Sequence, residues 1–128
     1  MADIRLLLVD DHADTLEVLS VLLAERYSVV SCRSAAEALT ALEASGADVV
    51  TLDIGMAPVD GVACLKMMRA LPGYAGIPAI ALTGWVREVD RQQFLAAGFQ
   101  AVVSKPVLEE GALIAAIDKV VRSPAGAP

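Results

Sequence analysis

The chain has 128 residues, a formal net charge of −6, and a composition that is 56% hydrophobic but only 4% aromatic. That length suits one domain around one mostly aliphatic core, the kind of core a sheet covered on both faces requires. The acidic balance argues against direct nucleic-acid binding, which needs basic surface. No stretch is long and apolar enough to span a bilayer, and the N-terminus lacks the basic-then-apolar build of a signal peptide, so a cytoplasmic protein is expected.

In chain order, the apolar run 4–9 predicts a first strand, ending on Asp10-Asp11. A helix follows, with Asp14 as its expected N-cap and Leu16, Leu19, Leu22 and Leu23 on one face. Residues 27–32 read as the second strand. Ser34-Ala35-Ala36-Glu37 has the form of a capping box, so a second helix begins there, buries Ala35, Ala38, Leu39 and Leu42, and stops at Gly46. The third strand, 48–52, runs out of the core onto Asp53, and the loop 53–60 carries Gly55 and Pro58, with Gly61 just beyond. The third helix, 60–71, is expected to bury Val62, Leu65 and Met68 and to expose Lys66 and Arg69. A fourth strand at 77–82 ends on Thr83-Gly84. The fourth helix, 86–97, has few apolar anchors, so it is expected to move at low cost. The fifth strand, 101–104, ends on Lys105-Pro106, and the fifth helix, 109–122, carries Leu113, Ile114, Ile117, Val120 and Val121 on one stripe. Domain limits of 3–122 with a frayed tail at 123–128 follow. Cys32 and Cys64 lack metal-ligand spacing and are expected to be free, buried thiols.

Five strands alternating with five helices predict an α/β fold of flavodoxin-like (βα)5 type. Its parallel sheet takes the order 2-1-3-4-5, with helices on both faces and right-handed crossovers. In that order the carboxyl ends of the first and third strands flank the switch point where ligands bind. Asp10, Asp11 and Asp53 therefore converge, with Thr83 and Lys105 beside them. Carboxylates so close repel by ~1 kcal/mol per pair at 4 Å in water and by several-fold more at a partly buried rim. A divalent cation removes that cost. Oxygen ligands without a histidine pair or a thiolate favour Mg²⁺, held by Asp11, Asp53 and the Gly55 carbonyl, with Asp10 acting directly or through water. A phosphoryl group arriving on Asp53 would then share its oxygens among Mg²⁺, the Lys105 ammonium and the Thr83 hydroxyl, with Gly84 leaving an approach open.

Each piece is ordinary alone. Asp-Asp after a strand is commonly a turn and cap, Thr-Gly is a common turn, and Lys-Pro can be a solvated lysine before a rigid loop. Their joint occurrence at four strand ends on one sheet edge is what favours a site. His12, the chain's only histidine, is expected to be an exposed loop residue rather than a ligand, and Trp85 a partly exposed rim residue.

Val9-Asp10-Asp11, the strand ending in Asp53, Leu82-Thr83-Gly84 and Ser104-Lys105-Pro106-Val107 stand in the order and at the spacing of the response-regulator receiver domain of two-component signalling. The chain resembles that family over about residues 4–121. The resemblance implies a phosphoacceptor at Asp53 and an Mg²⁺ site from Asp10, Asp11, Asp53 and the Gly55 carbonyl. It also implies phosphoryl contacts from Thr83 and Lys105, and a cis peptide before Pro106. The donor it implies is a phosphohistidine on a histidine kinase or histidine phosphotransfer domain. The output would be a changed surface of the fourth helix, fifth strand and fifth helix acting on a protein partner, with a homodimer as one option. The sequence resembles receivers of hybrid histidine kinases as well as free-standing ones. Two positions depart from the family's pattern. Val102 stands where members often carry a Tyr or Phe that rotates inward. Ala57 stands where many have proline, with Pro58 following. Gly55 and Trp85, each two residues beyond a site residue, are expected to set the dephosphorylation rate.

Two enzyme-like rivals fare worse. A phosphohydrolase of the haloacid-dehalogenase type needs a second Asp two residues after the nucleophile, and Gly55 stands there. An FMN binder wants a hydroxyl- and Gly-rich loop after the first strand, and Asp10-Asp11-His12 has the wrong charge. A pseudo-receiver, working as an interaction module without phosphorylation, is the remaining alternative.

Overall fold

The apolar runs around residues 6–9, 49–52 and 79–82 become the inner strands of one parallel sheet. The computed structural model describes residues 4–84, 87–105 and 110–122. In chain order the elements are β1 (Arg5–Val9), α1 (Ala13–Leu23), β2 (Ser28–Cys32), α2 (Ala35–Ser45), β3 (Val49–Asp53), α3 (Gly61–Arg69), β4 (Ala79–Thr83), α4 (Glu88–Ala96), β5 (Ala101–Ser104) and α5 (Glu110–Arg122). The sheet order is β2-β1-β3-β4-β5, every pair parallel, as expected from the alternation. All five residues of β3 and of β4 are buried, whereas the edge strands β2 and β5 are mostly half-buried or exposed.

The pleat splits these apolar runs between two layers. Leu7, Val9, Val50, Leu52 and Ala81 face α2 and α3, which contribute Ala38, Leu42, Cys64, Leu65 and Met68. Leu6, Leu8, Val49, Ile80 and Leu82 face α1 and α5, which contribute Leu16, Leu19, Leu23, Leu113 and Ile117. Cys32 and Cys64 are free and buried, and burial pushes both thiols up to about 11. Among the described residues no helix is long and apolar enough to cross a membrane.

Four local expectations need correction. The N-cap of α1 is His12, not Asp14, and its side chain makes no capping bond. The Asp10 carboxylate takes the His12 N–H at 2.8 Å, so the helix starts two residues early against the acidic loop. In α2, Ser34 accepts from Glu37 N as a cap should, but the Glu37 carboxylate reaches back to the N–H of Arg33 rather than of Ser34. Leu22, Leu39 and Val62 are only half-buried. Arg69 is half-buried rather than exposed. Its guanidinium donates to Ile77 O at 2.8 Å and to Gln100 Oε1 at 3.4 Å, tying the end of α3 to the entrances of β4 and β5. Gly98, at φ +115°, leaves room for it: a Cβ there would overlap Arg69 Nη1.

As expected, α4 is lightly held. Its one buried residue is Asp90, paired with Arg87, while Val89 and Leu95 are exposed and Phe94 is half-buried against the α2–α3 layer. Trp85, the expected start of α4 at Val86, Pro106 with its expected cis peptide, and the tail at 123–128 lie outside the described residues. Among the described residues a cis peptide joins Ala57 to Pro58, in the loop between β3 and α3.

Candidate functional site

Four strand ends deliver the site. In the sheet register Val9 lies opposite Leu52, and Asp53 opposite Leu82. Asp10 and Asp11 therefore emerge beside Asp53, with Thr83 one residue further along the next strand. Thr83 is itself opposite Ser104, and its carbonyl accepts the Lys105 N–H at 2.8 Å, which fixes where that lysine leaves β5.

At this edge the Lys105 ammonium lies 2.8 Å from Asp10 Oδ2 and 3.3 Å from Asp53 Oδ1. Asp53 Oδ1 also accepts the Gly55 N–H at 3.1 Å. Asp11 reaches across to the loop after β3, where Ala57 N–H donates to its Oδ2 at 3.4 Å. That loop is pressed against β3 from the other side. Gly61, the first residue of α3, sits so close that a Cβ would stand 2.6 Å from the Asp53 carbonyl oxygen. Asp60 caps α3 by accepting Ala63 N–H at 2.8 Å.

The electrostatics separate the carboxylates. Asp10 is fully buried; burial alone would raise its pKa, but the Lys105 hydrogen bond and charge and the His12 N–H outweigh it and hold it below the usual carboxylate value. Asp53 is nearly as buried and is pushed up, first by burial and then by the charge of Asp10, against the Gly55 N–H and Lys105. Lys105 loses to burial but gains more from Asp10 and Asp53, so its ammonium form is favoured.

Two buried acceptors, Asp11 Oδ1 and Asp53 Oδ2, have no hydrogen-bond donor among the described residues. Unsatisfied buried acceptors are costly, and these two share a pocket in which ligand atoms of Asp10, Asp11, His12 and Asp53 all lie within 4.8 Å of one another. The three carboxylates of that set suit a small, hard divalent ion.

The expected residues are thus brought together: Asp10, Asp53 and Lys105 by direct contact, Asp11 with a carboxylate oxygen within 4.8 Å of theirs, Gly55 through its N–H, and Thr83, buried, by register. Gly84 does face open space, and a Cβ there would meet nothing within 4 Å, so the approach does not depend on glycine. Val102, opposite Ala81, is half-buried against the α2–α3 layer. His12 is exposed as expected, but its ring does not simply point to solvent. Its Nδ1 stands 3.0 Å from Asp10 Oδ1, 3.1 Å from Asp11 Oδ1 and 3.7 Å from Asp53 Oδ2. Adjacency to Asp10-Asp11 was the only sequence signal for that position.

A five-stranded parallel sheet of order β2-β1-β3-β4-β5, with an acidic pocket and a lysine at its carboxyl edge, places the chain in the flavodoxin-like class of α/β domains. The family model for the response regulator receiver domain matches residues 6–118, and the chain belongs to that family. It is 37% identical, over 84% of this chain and 82% of the other, to an uncharacterised 14.6 kDa protein of Leptolyngbya boryana. It is 28% identical to the signal transduction histidine-protein kinase BarA of Escherichia coli over 80% of this chain, which spans only 11% of that kinase. Among solved structures, the chemotaxis protein CheY4 of Vibrio cholerae superposes with a TM-score of 0.85 at 25% identity, covering 93% of this chain and 99% of the other.

Proposed function

We propose that this receiver domain, spanning 3–122, accepts a phosphoryl group on Asp53 from a phosphohistidine of a histidine kinase or phosphotransfer domain. The observation that carries this reading is the asymmetry of the Asp53 carboxylate. Oδ1 is held by Gly55 N–H and Lys105, while Oδ2 is buried with no donor and opens on the pocket. One oxygen is fixed and the other keeps its lone pairs for phosphorus. In the transfer the Oδ2–P bond forms, the donor's N–P bond breaks, and the leaving imidazole takes a proton from solvent. Lys105, now divided between Asp10 and Asp53, shifts toward the incoming phosphoryl oxygens, and the Thr83 hydroxyl takes another.

Asp10, Asp11, Asp53 and the Gly55 carbonyl would hold Mg²⁺, which when bound neutralises charge on the carboxylates and the phosphoryl oxygens. The lightly anchored α4, with β5 and α5, forms the surface that changes and meets a protein partner or a second copy of the chain. With valine at position 102 no ring is available to rotate, so output runs through backbone and α4 displacement. The acidic chain acts in the cytoplasm on protein partners rather than on nucleic acid or membrane, as a signalling domain rather than an enzyme with a turnover substrate.

Incubation with acetyl phosphate and Mg²⁺ followed by intact-mass spectrometry tests this. Wild type gains one labile phosphate and Asp53→Asn gains none. No adduct on wild type would leave the pseudo-receiver, and sustained release of many phosphate equivalents would leave the hydrolase.

A further inference from the structure

His12 has a place at the pocket that the acceptor chemistry does not use. Its backbone is fixed as the first residue of the α1 turn, with its N–H on Asp10 Oδ1 and its carbonyl accepting Leu16 N–H. Its ring is two-thirds exposed, so it is free to lie elsewhere, yet Nδ1 sits among the three carboxylates. One ring N–H can be aimed at only one of them. It is aligned with Asp10 Oδ1, and Asp11 Oδ1, only 3.1 Å from the same nitrogen, receives no hydrogen bond. A proton therefore leaves two buried acceptors unsatisfied in this pocket, whereas a multivalent ion can bind all of them.

The separations of His12 Nδ1 from the carboxylate oxygens match coordination. Neighbouring donors around an octahedral ion with bonds of about 2.1 Å are about 3.0 Å apart, and opposite donors about 4.2 Å. Nδ1 is 3.0 and 3.1 Å from the Asp10 and Asp11 oxygens, both adjacent-donor distances, and 3.7 Å from Asp53 Oδ2, between the two limits. With the ring proton on Nε2, Nδ1 offers a lone pair beside the carboxylate oxygens of Asp10 and Asp11.

We infer that His12 Nδ1 is a ligand of the cation held by Asp10, Asp11 and Asp53, making this a mixed carboxylate–imidazole site that prefers a first-row transition ion to Mg²⁺. The inference rests on the cation reading proposed above. Imidazole adds little for hard Mg²⁺ and much for borderline ions, increasingly so along the series from Mn²⁺ through Co²⁺.

The test uses the untagged chain at one fixed pH, about 8. Mg²⁺ and Co²⁺ affinities are measured by calorimetry for wild type, His12→Ala, His12→Gln and Asp53→Asn. Pulsed EPR is recorded on the Mn²⁺ complex with ¹⁵N-labelled histidine, which reports on His12 alone because the chain has a single histidine. Co²⁺ affinity should fall about tenfold or more in both His12 variants. Mg²⁺ affinity should change far less, and the Mn²⁺ spectrum should carry a histidine-nitrogen coupling. Equal changes for both ions with no nitrogen coupling would overturn the inference and leave His12 as a hydrogen-bond partner of Asp10. Absence of saturable binding to wild type, or binding indifferent to Asp53→Asn, would instead remove the cation site itself.

Discussion

At the scale of single residues, the site is a balance between one buried cation and several carboxylates. Asp10 is fully buried, and Lys105 at 2.8 Å is the charge that makes this tolerable. Removing one partner of a buried pair costs more than the pair contributes, because the remaining charge stays desolvated. Lys105→Ala should therefore lower unfolding free energy by about 3 kcal/mol in EDTA, read from urea denaturation. Saturating Mg²⁺ should recover part of it, since a cation again faces Asp10. A variant as stable as wild type would mean that His12 and backbone donors suffice for Asp10. The residue types of this balance were legible in the sequence, because each stands at the end of an apolar run. The His12 ring was not. Position in the chain fixes its backbone beside Asp10, but its rotamer answers to carboxylates on two strands, one of them 41 residues away.

At the scale of elements, the inner strands were legible because burial on both faces writes continuous apolar runs, and the cap at Ser34 because capping is local. Arg69 was misread for the opposite reason. On the helix it looks like a solvated cation, and only the packing of α3 against the entrances of β4 and β5 supplies the carbonyl and amide oxygens that draw it inward. Gly61 looked like a turn residue, and the structure gives it a sharper role. Its N–H donates to Ile54 O at 3.2 Å, and the absence of a Cβ lets α3 start against the Asp53 carbonyl. Gly61→Ala should cost roughly 2 kcal/mol, as overpacking does. The strain falls on the backbone that carries the acceptor, so phosphorylation by acetyl phosphate should slow more than global stability alone explains. Comparing the rate with a control destabilised equally in α5 separates the two. Equal slowing in both would show that the α3 start does not position Asp53.

At the scale of the whole molecule, the sheet gathers charge at one edge of a chain that already carries −6, and stability should follow how that edge is neutralised. Asp53 has a raised pKa in the folded state, from burial and from Asp10, and His12 has a raised one, from its hydrogen bond to Asp10. Both bind protons more readily folded than unfolded, so in EDTA stability should increase as pH falls from 7.5 toward 5. Asp10 and Asp48 have the opposite sign. Asp48 is lowered by its hydrogen bonds to Arg5, and Asp10 because Lys105 and the His12 N–H outweigh burial. Their contribution is fully present above the unfolded value near 3.9 and is lost as pH falls through the folded values. The metal-free chain should therefore show its stability maximum on the acid side of neutrality. Saturating Mg²⁺ reverses the upper limb, because it binds the ionised carboxylates and competes with protons for them. Asp53→Asn should be more stable than wild type at pH 7.5 in EDTA and lose that advantage as pH falls through the raised folded-state pKa of Asp53. Urea midpoints at half-unit intervals, with and without Mg²⁺, read all three effects. A metal-free midpoint that climbs steadily from pH 5 to 7.5 would mean that the carboxylates at this edge are already neutralised by Lys105, with no charge left for a cation to meet.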